Sequence, residues 1–240
     1  MNPRVLLIAP TSDKKHYCKD EWLKHIQSLT YTNYDIFICD NSEDPEYYVK
    51  EFIEKGINCY HLEPKGHVVE YISHSQQILI EYAKGMKYDY VFMCESDVFP
   101  PLNIIEYLLT HERPVVTAPY FINYRDNHPT VCVQEIEPTY ISKQSMLLSG
   151  ESVFNRWDGE LHKVFSCGIG CTLIDMQVFN YINFRSAKKG GEYSMNESVF
   201  SDTYFYKDLQ DNQIPAFMDT SVICEHKWSD WNKHNDFILQ

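Results

Sequence analysis

The sequence predicts an α/β fold: an open, twisted, mostly parallel sheet of Rossmann type flanked by helices, with a smaller loop-and-hairpin region in its second half. Two observations predict it. Through residue 118, short apolar runs rich in β-branched and aromatic residues alternate with amphipathic runs of helical period. That alternation is the pattern of strands joined by helical crossovers, which requires parallel pairing. The polar stretches that follow successive strands then fall on one rim of the sheet, where open α/β sheets gather their ligands.

Val5 to Ala9 (VLLIA) forms the first strand and Pro10 stops it. Tyr17 to Leu29 carries Trp22, Leu23, Ile26 and Leu29 at helical spacing. Tyr34 to Cys39 is the second strand. Pro45 to Lys55 is a helix, with proline at its first position and Gly56 as its stop. Ile57 to Leu62 gives the third strand, Val68 to Ala83 a longer amphipathic helix ended by Gly85, and Tyr88 to Cys94 the fourth strand. Pro101 to Thr110 is a helix and Pro114 to Ala118 the fifth strand. Residues 120–165 are polar and turn-rich, and read as hairpins and loops. Order returns with Val164 to Asp175, a helix around Met176 to Ile182, a helix from Val199 to Leu209, and a last strand from Ser221 to Cys224. No repeat or linker divides the chain, so residues 1–240 are expected to form a single domain, with residues 1–118 and 119–240 as its halves.

Composition narrows the class. With 44% apolar and 15% aromatic residues the chain is globular rather than disordered. The net charge is −13, and only Lys14-Lys15 and Lys188-Lys189 are paired basic residues. This argues against a tight non-specific hold on nucleic acid, which needs a basic face. An acidic protein that binds a phosphorylated small molecule is expected to recruit a divalent cation as the bridge. None of the eight cysteines forms CxxC, and Cys167 with Cys171 has no partner pair at zinc spacing. Cys39, Cys59, Cys94 and Cys224 end apolar runs, where cysteine acts as a small hydrophobe. Together with the lack of a signal peptide or an 18-residue apolar span, this sets the expectation of a reduced, cytoplasmic protein with no membrane span. Nothing in the pattern speaks to oligomeric state.

Three strand ends carry the chemistry. Pro10-Thr11-Ser12-Asp13 follows the first, Asp40-Asn41-Ser42-Glu43-Asp44 the second, and Glu95-Ser96-Asp97 the fourth, cut off by Pro100-Pro101. Each alone can be a turn, and Asp44-Pro45 reads as one. Together they converge acids and small polar groups on one rim.

In this order the motifs resemble the nucleotide-sugar-dependent glycosyltransferases of the GT-A fold, family 2 in particular. Glu95-Ser96-Asp97 stands where that family has its DxD motif. Phe165 to Ile174 (FSCGIGCTLI) resembles the glycine-containing segment that borders the acceptor pocket. Ser201 to Phe205 (SDTYF) resembles the acidic motif opening the helix that carries the base, and Ile223 to His226 (ICEH) a closing strand with a late histidine. The likeness covers about residues 5–118 and 164–228. Glu95 departs from the usual first Asp, HSQQILIEYA replaces a helix that usually holds an arginine–asparagine pair, and no QxxRW motif follows Asp202, so a polymerase is not expected.

The resemblance implies a metal-dependent transfer of one sugar from a UDP-, GDP- or dTDP-sugar to an acceptor hydroxyl, with inversion. It makes Asp97 a ligand of Mn²⁺ or Mg²⁺; a cap of the following helix is the competing role. It makes His226 a second ligand, favouring Mn²⁺, against a purely structural histidine. Glu95 and Ser96 are expected on the donor, with Glu95 reaching the ribose or an outer-sphere water. Asp40 is expected at the base or ribose, and Pro10 and Thr11 along the base. Asp202 is the expected general base, a role compatible with capping its helix. Gly168 and Gly170 admit the acceptor closely. Trp228 and Trp231 either stack on sugar or base or form a terminal latch. A glycan or other small hydroxylated acceptor is favoured over a hydroxymethylated DNA base, which Tyr120, Phe121, Tyr124 and Arg125 would stack on and steer. A nucleotidyltransferase would carry a glycine-rich basic loop after the first strand, and PTSDKK has no glycine. A binding module that keeps the fold without turnover is the non-enzymatic alternative.

Overall fold

A computed structural model describes residues 2–120, 123–125, 128–134, 147–148, 158–186 and 200–227. In chain order the strands of the first half are β1 (Val5–Thr11), β2 (Tyr34–Asp40), β3 (Asn58–His61), β4 (Tyr90–Cys94), β5 (Val98–Phe99) and β6 (Val115–Thr117). The helices among them are α1 (Lys19–Ile26), α2 (Pro45–Glu54), α3 (Val68–Gly85) and α4 (Ile104–Leu109). The second half adds β7 (Asn123–Arg125), β8 (His128–Gln134), β9 (Leu147–Leu148), β10 (Leu161–Val164), β11 (Ser166–Cys167), β12 (Cys171–Asp175), α5 (Ser201–Asp211), β13 (Ala216–Asp219) and β14 (Glu225–His226).

The main sheet runs β10-β13-β6-β12-β4-β1-β2-β3. β1 is parallel to both β2 and β4, and β2 is parallel to β3. β12 inserts antiparallel between β4 and β6, β13 is parallel to β6, and β10 closes the edge antiparallel. Val5 to Ala9 of β1 are fully buried, because helices cover both faces of a parallel sheet. The pleat divides them: Leu6 and Ile8 pack with α3 residues Leu79 and Ile80, whereas Val5, Leu7 and Ala9 pack with Trp22 and Ile26 of α1. The chain goes from β1 outward to β2 and β3, then returns across to β4 on the other side of β1. The switch point of the topology therefore lies between the carboxyl ends of β1 and β4.

α3 opens with a capping box, in which the His67 ring accepts from Val69 N and Glu70 accepts from His67 N at 2.9 Å. Ser75 and Gln76 of the HSQQ departure noted in the sequence sit on its inner face. Ser75 Oγ donates to Asn41 Oδ1 at 2.8 Å, and Gln76 Oε1 accepts from Ser201 Oγ at 2.5 Å. These buried polar side chains tie the β2 loop and the start of α5 to one helix.

Several elements differ from the expectation. The helix expected from Pro101 starts at Ile104: Leu102 and Asn103 form a turn first, in which Pro101 O accepts from Ile104 N at 3.0 Å. The segment from Val164 to Asp175 holds the last residue of β10, then β11 and β12, with Gly168–Gly170 between the last two. The last strand of the main sheet is Ala216–Asp219, not Ser221 to Cys224. Asp219 ends it by accepting from Ser221 N at 2.8 Å and Ser221 Oγ at 2.6 Å, a side-chain turn that takes the chain off the sheet. Cys224 then makes an isolated bridge to Tyr120, and β14 pairs with β5 instead. The helix expected near Met176 is a 3₁₀ turn, Met176–Asn180. Hairpin pairing of β7 with β8 occurs in the region read as loops and hairpins. Trp228, Trp231 and Phe121 lie outside the described residues, as do the side chains of Tyr124 and Arg125. Among the described residues no helix is long and apolar enough to cross a membrane.

Candidate active site

The switch point is built as a clamp of three loops. Thr11 Oγ1, at the end of β1, donates to Ser96 Oγ at 3.0 Å, and Thr11 O accepts from Asn41 N at 2.8 Å. Cys18 Sγ donates to Ser96 O at 3.3 Å. Between these loops and α3 lies a cavity of about 270 Å³. Pro10, Thr11, Glu95, Ser96 and Asp97 all line it, as do Lys14, Lys15 and Asn41. A wider groove of about 990 Å³ shares Lys14, Asn41 and Tyr71 with the cavity and continues past His16 and Tyr48.

Asp97 is at the centre of the charged part. Its side chain is only 4% exposed, and α4 starts well beyond it, so it does not cap that helix. The Lys15 ammonium pairs with Oδ2, and Tyr17 Oη donates to the same oxygen at 3.4 Å. His226 Nε2 faces it at 3.2 Å, delivered by the β5–β14 pairing and by Lys227 N donating to Asp97 O at 2.8 Å. Burial alone would raise the Asp97 carboxyl; His226 and Lys15 more than offset it and hold the group below its ordinary range.

Glu95 points the other way. Its carboxyl is pushed up to about 7, by burial first and then by the negative charge of Asp97. Tyr120 Oη lies 3.5 Å from Glu95 Oε2 and accepts from Gly170 N at 3.1 Å. The ring of Tyr120 meets His226 edge-on at 5.3 Å between centroids. Both expected glycines have a packing cause here. A Cβ on Gly168 would sit 2.6 Å from Tyr120 Oη, and one on Gly170 would sit 2.6 Å from Glu95 Oε2.

Asp202 lies in the first turn of α5, where Phe200 is the N-cap residue. Its carboxylate accepts from Thr203 N at 2.7 Å, and burial raises its pKa. Its charge is felt at Glu95 and at Tyr120, which places the three groups in one electrostatic neighbourhood. Asp40 is fully buried beneath the rim. Oδ1 accepts from Ser42 N and Oγ at 3.1 and 2.6 Å, and Oδ2 faces His61 Nδ1 at 3.1 Å. Asn41 is the residue of that loop that lines the cavity. Sequence reasoning did not single out Asn41, Lys15 or Tyr17. For Lys15 the signal was present, since a Lys-Lys pair follows directly on a rim loop.

Among the described residues no group of three or more His, Cys, Asp or Glu side chains is arranged to hold a metal ion by itself. Asp97 Oδ2 and His226 Nε2 nevertheless stand 3.2 Å apart. Adjacent ligands of an octahedral cation with bonds of about 2.1 Å are separated by about 3 Å. A carboxylate oxygen and an imidazole nitrogen at that spacing fit two positions of a divalent cation whose other ligands come from phosphate and water.

No family model matches the chain, and no curated protein matches its sequence. Solved structures do. TarS (residues 1–349) from S. aureus, in complex with UDP-GlcNAc, superimposes with a TM-score of 0.54 at 11% identity, covering 95% of this chain and 60% of that one. The mannosyltransferase PcManGT from Pyrobaculum calidifontis, in complex with GDP-Man and Mn²⁺, gives 0.58 at 12% identity, covering 93% and 56%. GalNAc-T7 with UDP, GalNAc and Mn²⁺ gives 0.63 at 9% identity, covering 94% and 44%. The chain spans between 44% and 60% of the length of these proteins. Likeness at this identity is a likeness of fold, and the fold is α/β of the GT-A type.

Proposed function

We propose that the chain is a glycosyltransferase that moves one sugar from a nucleoside diphosphate sugar to an acceptor hydroxyl. One observation carries the reading. Asp97 from the β4 loop and His226 from the far end of the chain meet 3.2 Å apart, against a cavity at the topological switch point. The structural neighbours are in complex with UDP or GDP ligands, two of them with Mn²⁺, which supports the same use of the same fold.

Residue roles follow from placement. The nucleoside takes the wider groove, and its diphosphate the cavity lined by Thr11, Asn41 and Ser96. Asp97 and His226 would hold Mn²⁺ or Mg²⁺, which when bound supplies charge neutralisation to the departing diphosphate. Glu95, braced by Tyr120, faces the donor's hydroxyls. Asp202 accepts the acceptor's proton as its oxygen attacks, a task suited to a carboxylate whose basicity burial has raised. Such a single displacement inverts the anomeric centre. The net charge of −13 favours a glycan or other small hydroxylated acceptor over DNA.

Nucleotide release tests this. Incubation with UDP-, GDP- and dTDP-sugars and Mn²⁺ should liberate the nucleoside diphosphate from one of them when an acceptor is present. That donor should also raise the melting temperature, since a ligand at a hundredfold excess over its Kd adds about 2.7 kcal/mol. Stabilisation without release by any acceptor would make the chain a binding module, and no stabilisation by any donor would defeat the proposal.

A further inference from the structure

We infer that Lys15 is a diphosphate-binding residue parked on Asp97, which must leave that carboxylate when a divalent cation arrives; the inference rests on the transferase reading of the site.

The loop is built to deliver this lysine. Asp13–Lys15 form a 3₁₀ turn, with Lys15 N donating to Ser12 O at 2.9 Å and Cys18 N donating to Lys15 O at 3.2 Å. Cys18 Sγ and Thr11 Oγ1 fasten both sides of that turn to Ser96. The backbone is thereby fixed while the side chain, 36% exposed, keeps its flexible stem. Its ammonium sits on Asp97 Oδ2, the same oxygen that faces His226 Nε2 at 3.2 Å. A metal ion ligated by Asp97 and His226 would compete for the Oδ2 that the ammonium now pairs with, and two cations on one oxygen repel each other.

The displaced ammonium has a destination. Lys14 and Lys15 both line the cavity, with Glu95 and Asp97 as the lining carboxylates. A nucleoside diphosphate brings several negative charges into a space whose own charges cancel. Lys15, one side-chain rotation away from Asp97, supplies a positive partner for a phosphate oxygen. The exchange keeps each charge matched: Asp97 changes from lysine to metal as Lys15 changes from carboxylate to phosphate.

Two affinities move in opposite directions on Lys15→Met, which separates this role from a structural one. Mn²⁺ alone, titrated against the protein and read by the electron paramagnetic resonance of free Mn²⁺, should bind about tenfold tighter or more because Asp97 is released. UDP and GDP, titrated calorimetrically at saturating Mn²⁺, should bind about tenfold to a hundredfold more weakly, as for the loss of one charge-assisted hydrogen bond. Lys15→Arg keeps the cation and should hold nucleotide affinity within about threefold of wild type. If Lys15→Met folds poorly, Lys15→Gln serves in its place. Unchanged nucleotide affinity, or Mn²⁺ binding that stays level or weakens, would overturn the role of Lys15 while leaving the transferase reading intact. A wild-type protein that binds neither UDP nor GDP, with or without Mn²⁺, would overturn both.

Discussion

Asp97→Asn replaces one carboxylate oxygen by an amide and leaves the shape of the side chain unchanged. The variant should fold as the wild type does by circular dichroism, yet lose about a hundredfold or more in rate, because an amide neither pairs with Lys15 nor ligates a cation comparably. Rates that survive the change and ignore EDTA would contradict the assignment. Asp202→Asn removes the proposed proton acceptor alone. It should lower turnover by about 10² to 10⁴ with donor affinity unchanged, and an equal loss of donor affinity would move Asp202 to the donor side. Gly168 is a packing case. Alanine there would put a methyl 2.6 Å from Tyr120 Oη and 2.9 Å from its Cζ, against a ring that has His226 on its edge. Gly168→Ala should cost about 1–3 kcal/mol in urea unfolding, whereas Gly85→Ala, with nothing within 4 Å of the new Cβ, should be neutral or better. The residues of the rim were legible because strand ends in a parallel sheet have fixed neighbours. Lys15 and Tyr17 were not singled out, because their partner Asp97 is about eighty positions away in the chain.

At the level of elements, β13 is the instructive miss. Its four residues, AFMD, are too short to show a period, and the more apolar-looking Ser221 to Cys224 drew the assignment instead. What ends β13 is Asp219, whose carboxylate accepts from Ser221 and faces His111 Nε2 at 2.5 Å. Burial pushes its pKa up, but the Ser221 and His111 hydrogen bonds pull harder and leave it below the ordinary carboxylate value. A folded-state pKa that is depressed adds stability above the unfolded value, near 3.9, and that stability fades as pH falls through the folded value. Asp219→Asn should therefore destabilise by about 1–3 kcal/mol at pH 7, with the gap to wild type closing below about pH 4. Urea midpoints at the two pH values measure it, and a gap that persists in acid would mean that the charge is irrelevant. By contrast, β1, β2 and β4 were plain in the sequence, since burial on both faces leaves continuous apolar runs.

Taken whole, the first half of the chain makes a rim of strand ends, and the second half brings β12 into the sheet and His226 to Asp97. The first half is readable from local period because β1, β2 and β3 pair in sequence order through single helical crossovers and β4 is a continuous apolar run. The second half is not, because β12 must insert between β4 and β6, and His226 reaches Asp97 only through a two-stranded ribbon with β5. Nothing local in the sequence encodes that pairing. TM-scores of 0.54 to 0.63 at 9% to 12% identity show that chains with little sequence in common share this fold. The central claim is that the rim is a shared site for a divalent cation and a nucleoside diphosphate. Anomalous diffraction at the manganese edge, from crystals grown with Mn²⁺ and UDP or GDP, tests it most directly. The account predicts a manganese peak within bonding distance of both Asp97 Oδ2 and His226 Nε2, with the diphosphate in the cavity beside Thr11 and Lys15. A nucleotide bound away from that cavity, or manganese held by other side chains, would contradict it.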